Sequence, residues 1–202
     1  MPISISGDGT ITGVSVGGLP DGIVDTDMLA TSAVATAKIA NDAVDATKIG
    51  SNTFVSYALI YDQKASGTDA GTFTSGAWRT RDLNTEISDA DGIVSISSNQ
   101  FTLGAGSYLI RWNAPAFDVS RHVTRLRDIT GDVNIAIGSA ETSNTSYPST
   151  TRSFGTARVT ITADNVYEIQ HRCSSTLANN GLGISHTFEV NVYTIVEIFK
   201  EA

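Results

Sequence analysis

Two residues whose types could form a nucleophilic pair, His171 and Cys173, stand two positions apart in the segment EIQHRC. Residues two apart share a face of a strand, and a histidine can activate a thiol. Nearby positions on one regular strand rarely converge on a substrate, so we interpret the pair as a buried thiol beside a histidine. The other histidines, His122 and His186, have no metal-type spacing. We therefore expect no catalytic residue, no metal and no cofactor, and a protein that is not an enzyme.

An acidic turn, SDADG, places Asp89 and Asp91 just before Gly92. A calcium ion requires several oxygen ligands, and the neighbouring sequence supplies no full set. The segment predicts a plain turn, with a calcium site as the alternative.

Three arginines, Arg121, Arg125 and Arg127, occupy alternate positions around Val123 and should share one strand face. Like charges in a row repel unless something neutralises them. An anionic glycan or lipopolysaccharide would do so, as would acidic side chains of the same or a neighbouring subunit. Residues 57–202 contain 11 lysines and arginines and 15 aspartates and glutamates, and we favour pairing with protein carboxylates.

Two polar segments, 139–153 and 174–183, predict exposed loops, and loops on a rigid β-scaffold often carry binding sites. Tyrosine among serine, threonine and asparagine suits stacking on a sugar ring and bonding to its hydroxyls. The alternative is a pair of loops without a ligand. The candidate receptor contacts are Asn144, Ser146, Tyr147, Arg152, Asn179 and Asn180.

The chain from Tyr57 onward reads as short apolar runs separated by turn residues. About nine such runs and hardly any helical period predict an all-β domain, a sandwich or jelly roll. The predicted strands cover 57–63, 76–84, 92–98, 100–115, 121–129, 133–140, 154–161, 166–173 and 186–200.

The last predicted strand has apolar residues on both faces, whereas a strand on the outside of a monomeric sandwich should have one polar face. One face, from Phe188 to Ile198, should meet the core. The other contains Tyr193, Ile195 and Phe199, which we expect to contact another subunit. A central strand covered by a loop is the alternative.

Residues 24–50 repeat with a period of ten and place one large aliphatic residue every five positions: Val24, Leu29, Val34, Ile39, Val44 and Ile49. Five residues turn an α-helix by about 500°, and five is odd on a strand, so neither element gathers these side chains on one face. One copy buries too little apolar surface to offset the ordering of its backbone. We therefore predict a stalk formed by several identical chains, with a flexible linker as the alternative.

In the residues before this stalk, apolar and polar side chains alternate, a pattern that predicts a small β-hairpin. Ile3 and Ile5 precede the turn GDG, and Ile11 follows it. We interpret a hairpin ahead of a stalk as an anchor that adds strands to another protein.

Composition narrows the remaining classes of protein. The chain has 202 residues, 41% hydrophobic and 17% charged, which is enough to form a core. Its formal net charge of −8 argues against a nucleic-acid partner. No apolar run is long enough to span a membrane, and no signal-peptide pattern opens the sequence. The single cysteine excludes an intrachain disulfide, so we expect synthesis in a reducing cytosol.

The segments YALIYDQ, FTLGAGSYLIRW and YTIVEIFK resemble the tumour necrosis factor/complement globular-head jelly roll, which implies a compact trimer. The segment VATAKIANDAVDATKIG is similar to stalk repeats of bacteriophage tail-fibre proteins. The resulting organisation is an anchor over 1–19, a trimeric stalk over 20–56 and a jelly-roll head over 57–202. The N-terminal hairpin departs from the family pattern.

The resemblance implies a structural protein of a phage virion, made in the host cytoplasm. In this hypothesis a homotrimeric fibre attaches to another virion protein through residues 1–20, and its head contacts a host surface glycan. The alternative is a capsid decoration or head-fibre protein, which the short stalk favours. A polysaccharide-cleaving spike is a third class, but it requires paired carboxylates in a groove.

Overall fold

A computed structural model describes residues 4–5, 11–12, 39, 44, 54–143 and 146–202. The chain divides into two compact units, Met1–Lys48 and Ile49–Ala202, which are described separately.

The N-terminal unit contains the predicted strand pair. Strand β1 (Ser4–Ile5) pairs antiparallel with β2 (Ile11–Thr12), so that Ile5 lies opposite Ile11. The hairpin pairing inferred from the alternating isoleucines is therefore present, while Ile3 lies outside the described residues. Of the predicted stalk positions, Val24, Leu29, Val34 and Ile49 also lie outside them, and Ile39 and Val44 are exposed in the single chain.

The second unit is a sandwich of two antiparallel sheets, which confirms the predicted all-β jelly roll. Its strands are β3 (Phe54–Lys64), β4 (Arg79–Thr80), β5 (Thr85–Asp89), β6 (Val94–Ser97), β7 (Gln100–Leu103), β8 (Gly106–Phe117), β9 (Ser120–Asp128), β10 (Val133–Ser143), β11 (Thr150–Ile161), β12 (Asn165–Cys173) and β13 (Asn191–Glu201). One sheet has five strands in the order β11-β8-β13-β3-β5. The other has the order β10-β9-β12-β7-β6, with β4 also paired to β12.

The core lies between the sheets and follows the alternation of each strand. In β3, Ala58 and Ile60 are fully buried, whereas Leu59 between them is only half-buried. The indole of Trp112 on β8 crosses the core and donates a hydrogen bond to Thr124 Oγ1 on β9, over 2.8 Å. Residues from both sheets fill the rest of this core: Phe101, Leu103, Ile110, Leu126, Tyr167, Ile169, Val196 and Ile198.

Several predicted strand boundaries differ from the structure. The predicted strand 76–84 contains only β4, β5 was not predicted, and the predicted strand 100–115 divides into β7 and β8. The last strand begins at Asn191 instead of residue 186, and Phe188 is 87% exposed because it precedes the strand. The predicted loop 139–153 is mostly strand, since β10 extends to Ser143 and β11 begins at Thr150. Segment 139–153 is rich in serine and threonine, which occur in strands and in loops alike.

The four connections after β3, β8, β10 and β12 lie at the end of the sandwich opposite to Phe54, where β3 begins; we call this the far end. The antiparallel order fixes this placement, because these strands all run in the same direction. Backbone hydrogen bonds join the connections, for example from Phe73 to Leu177 and from Asp118 to Ser149. A second apolar cluster of Phe73, Ala116, Val119 and Cys173 lies there. The far end is thus a packed structure.

Candidate functional site

The outward side of the five-stranded sheet carries a band of large apolar side chains across three adjacent strands. Phe199 on β13 lies opposite Leu109 on β8 and Tyr57 on β3. The rings of Phe199 and Tyr57 are 4.9 Å apart, and Phe54 adds a third ring 5.0 Å from Phe199. We call this band, together with Leu59 and Ile195, the aromatic face.

The charges within the aromatic face are paired with one another. Glu197 lies opposite Arg111, and its Oε2 is 3.9 Å from the Nη1 of that arginine. Glu197 also accepts a hydrogen bond of 3.4 Å from the Tyr57 hydroxyl. Partial burial, followed by the nearby Glu197 carboxylate, raises the pKa of Tyr57. The face therefore combines apolar area with a small hydrogen-bonded polar centre, a composition that suits a protein interface.

The structure separates Tyr193 from the other two residues predicted for the subunit-facing side of β13. The pairing of β13 with β3 shifts between Val192 and Ile195. This irregularity changes the alternation, so that Tyr193 and Thr194 are both buried, while Ile195 and Phe199 face outward. The Tyr193 hydroxyl donates to the Thr68 carbonyl at 2.7 Å, and burial raises its pKa to about 12. Tyr193 is thus part of the protomer interior.

The candidate receptor loops both lie at the far end. Tyr147 is 80% exposed, and Ser146 is exposed beside it. Asn179 is exposed and takes a left-handed backbone conformation (φ 67°), while Asn180 is half-buried next to it.

Two of the receptor candidates stand apart from these loop residues. Asn144 lies outside the described residues. Arg152 belongs to β11, and its guanidinium donates to Asn113 Oδ1 at 2.6 Å and to the Tyr193 carbonyl at 2.7 Å. Burial lowers the pKa of Arg152. These internal bonds make Arg152 a support for neighbouring strands.

His171 and Cys173 are both buried, but their side chains contact different groups. His171 Nε2 and His122 Nδ1 share a hydrogen bond of 2.9 Å, and His122 Nε2 lies 2.7 Å from Thr151 Oγ1. The Cys173 thiol instead contacts the Ser175 carbonyl, and burial raises its pKa to about 11. Such a thiol stays protonated near neutral pH, which disfavours it as a nucleophile.

A buried arginine, Arg81, is a feature of the structure that the sequence does not predict. Its side chain is fully buried and donates to Thr194 Oγ1 and to the carbonyls of Pro115 and Leu182. Burial lowers the pKa of Arg81 to about 10. No local pattern marks this residue, because its three partners come from distant parts of the chain.

The acidic turn holds its own backbone. The two carboxylate oxygens of Asp89 accept hydrogen bonds from the backbone N–H groups of Ile93 and Val94, at 2.8 and 2.9 Å. This is the plain turn that the sequence predicts.

Among the described residues, no three histidine, cysteine, aspartate or glutamate side chains are grouped to hold a metal. In the same residues, no helix is long and apolar enough to cross a membrane.

The row of arginines on β9 faces outward as predicted, and two members have partners in the same chain. Arg127 pairs with Asp132 and donates to Asn134 Oδ1 at 3.0 Å. Arg125 donates to Gln170 Oε1 at 2.7 Å, and its guanidinium lies 4.1 Å from the centre of the Trp78 ring. Intrachain contacts thus account for the middle and one end of the row.

No family model and no curated protein sequence matches the chain. Three solved structures illustrate its similarity in fold. Murine APRIL at pH 5.0 has a TM-score of 0.47 and 8% identity, covering 72% of this chain and 98% of that chain. Eiger TNF from S. frugiperda has a TM-score of 0.46 and 11% identity, and the match covers 72% of this chain and 92% of the Eiger chain. The globular domain of zebrafish complement 1qA protein has a TM-score of 0.39 and 16% identity, and the match covers 74% of this chain and 96% of the zebrafish chain. The jelly-roll assignment rests on the strand order and pairing of this chain itself.

Proposed function

We propose that the chain forms a homotrimer through the aromatic face and serves as a structural protein of a phage virion. In this account the far end of the head contacts the host surface, and the N-terminal hairpin attaches the fibre to another virion protein. The observation that carries the proposal is the aromatic face itself. A band of aromatic and aliphatic side chains across β8, β13 and β3 is more typical of an interface than of a free sheet surface.

The positions of the chain entry and of the recognition loops, at opposite ends of the sandwich, support a head that contacts the host surface with its far end. The chain enters the sandwich at Phe54, and the predicted recognition loops lie at the opposite end. A head carried on a stalk would therefore present Tyr147 and the 174–190 connection away from its point of attachment. The N-terminal strand pair would supply the strands that add to a partner sheet.

The polar clusters inside the sandwich favour a structural role over a catalytic one. Cys173 is held as a neutral thiol, and the two paired histidines are buried. We therefore propose that the protein works by binding and assembly.

A second function, decoration of the capsid, is favoured by the short distance in sequence between hairpin and head. Only residues 13–53 separate β2 from β3, which is little reach for an adsorption fibre. In that case the head would ornament or stabilise the shell, and host contact would be secondary.

The test is an adsorption competition combined with cryo-electron microscopy of whole particles. The purified full chain, added to host cells first, should reduce particle adsorption in proportion to its concentration. A monomeric variant should compete much less well, because a trimer binds through several heads. Density for the hairpin at the tail or baseplate would support the fibre, and density on the capsid lattice would support decoration. Absence of the chain from the particle would overturn both.

A further inference from the structure

A groove of about 560 Å³ opens at the far end of the sandwich. Its floor is formed by the ends of β10, β9 and β12, and one wall by Ser75 and Gly76 of the connection after β3. Its charged lining residues are Arg121, Arg172 and Glu141. A groove of this volume is in the range that holds a small ligand.

The walls of this groove are held in place by hydrogen bonds. Ser174 Oγ accepts from the Arg121 backbone N–H at 3.0 Å and donates to the Arg121 carbonyl at 3.3 Å. On the opposite wall, the Ser75 backbone N–H donates to Thr176 Oγ1 at 2.9 Å, and the two hydroxyls lie 3.0 Å apart. A ligand would therefore meet a prearranged surface, which lowers the entropic cost of binding.

The two arginines of the groove differ from the other arginines of the same sheet face. Arg125 and Arg127 are satisfied by neighbours in the chain. Within residues 54–143 and 146–202, the exposed side chains of Arg121 and Arg172 form no hydrogen bond and no ion pair. These two cations have no ion-pair partner among the described residues, and Glu141 is the one carboxylate that lines the same groove.

The strand register brings these two arginines to one place. Arg172 lies opposite Val123, and Val123 is two residues from Arg121, so the arginines are diagonal neighbours on adjacent strands. Long side chains at diagonal positions can reach a common point. Two guanidinium groups there could hold one carboxylate through paired N–H donors.

We propose that this groove binds a saccharide that carries a carboxylate, with Arg121 and Arg172 holding the acidic group. Val123 and Ala140 supply an apolar surface for the C–H side of a sugar ring, and Thr142 supplies a hydroxyl. Glu141 can accept a hydrogen bond from a sugar hydroxyl, and its charge disfavours a polyanion that would fill the whole groove. This inference rests on the proposed function, because it names the class of host-surface molecule that the far end would contact.

The experiment is calorimetric titration of the full chain with two probes that each carry one carboxylate, galacturonate and 3′-sialyllactose, each beside its own methyl ester. The ester keeps the sugar and removes only the charge. We expect at least one acid to bind roughly tenfold or more tightly than its ester, because charged hydrogen bonds are the strong ones. Equal affinity for acid and ester, or no binding of either acid, would overturn the proposal.

Matched variants place the binding within the groove. Arg121→Gln and Arg172→Gln should each weaken binding of the acid about tenfold. Arg127→Gln removes the same charge from the same strand face outside the groove, and it should change affinity less than about twofold. Equal losses in all three variants would mean general electrostatic attraction and would contradict a defined site.

The same variants separate this inference from the proposed function. If Arg121→Gln and Arg172→Gln bound the acid unchanged while the trimeric chain still blocked adsorption, the groove proposal alone would fail. If the groove bound the acid as described but the chain neither trimerised nor affected adsorption, the proposed function alone would fail.

Discussion

Phe199 on β13 lies directly opposite Tyr57 on β3, and their ring centroids are 4.9 Å apart on the outward side of the five-stranded sheet. Aromatic pairs of this kind usually lie within a core or an interface. Here Leu109 on β8 flanks Phe199, Leu59 follows Tyr57 on β3, and the single chain leaves this side of the sheet partly open. This relationship is the basis of the trimer proposal.

A charge placed in the aromatic face should separate the subunits. We expect Phe199→Asp and, independently, Ile195→Asp to yield monomers, because a buried unpaired carboxylate costs several kcal/mol in an interface. Light scattering coupled to gel filtration measures the mass, and far-ultraviolet circular dichroism checks that the strands remain.

The control for this prediction is Ile137→Asp. Ile137 is an exposed apolar residue on β10, in the other sheet, with 67% of its surface accessible. This variant should remain trimeric. Dissociation of Ile137→Asp, or trimers in both face variants, would place the interface elsewhere.

The stalk should depend on its aliphatic positions without controlling the head. We expect the double variant Ile39→Asp and Val44→Asp to splay the stalk while the head stays trimeric, since the aromatic face is intact. Limited proteolysis should cleave the variant faster within residues 20–56. A monomeric head in this variant would show that the stalk holds the trimer together.

Acid should weaken the fold through the histidine pair. Burial and the nearby charge of Arg81 lower the pKa of His171 well below its usual value. Burial also lowers the pKa of His122 to about 4, although the carboxylate of Glu141 partly opposes this shift. In the unfolded chain both titrate near their ordinary value of about 6.5. The unfolded state therefore binds more protons below that pH, and stability is full above about 6.5 and falls as the pH drops towards 4.

Urea unfolding at pH 7.5 and pH 5.5 measures this effect while most carboxylates remain ionised. We expect a loss of about 1–2 kcal/mol in the free energy of unfolding at the lower pH. His122→Gln should reduce the difference between the two pH values. A free energy that rises on acidification over this interval would contradict the assignment of neutral, buried histidines.

The indole ring of Trp112 lies against Gly155 and should make this position intolerant of a side chain. Gly155 on β11 lies opposite Trp112, and a Cβ at this position would overlap the indole ring. We expect Gly155→Ala to lower the free energy of unfolding by about 1–3 kcal/mol, the usual cost of overpacking. Gly104→Ala should have little effect, because its Cβ would meet only Asp164 Oδ1 at 3.6 Å. Equal effects would remove the steric explanation.

Alternation within single strands was the part of the fold that could be predicted from the sequence. Strand β3 shows this, since Ala58 and Ile60 face inward, and Tyr57 and Leu59 also indicate a second apolar face. The outward position of Ile195 and Phe199 follows from the same pattern. The strand boundaries near Ser143 and Thr150 could not be predicted, because serine and threonine suit strands and loops alike.

Features that depend on contacts between distant strands escaped prediction. The register shift that turns Tyr193 inward leaves no local signal, since both alternations place an apolar residue on each side. Arg172 on β12 lies beside the arginines of β9 because it pairs opposite Val123, and this register is not visible in the sequence. The buried Arg81 likewise depends on acceptors from three other segments.

The most direct test of the central claim is the mass in solution of the full chain, measured by native mass spectrometry across a tenfold range of concentration. One chain has a mass of 21.2 kDa, and we expect a single species of three times that mass at every concentration. A stable species of 21.2 kDa, or of twice that mass, would contradict the homotrimer and with it the role assigned to the aromatic face.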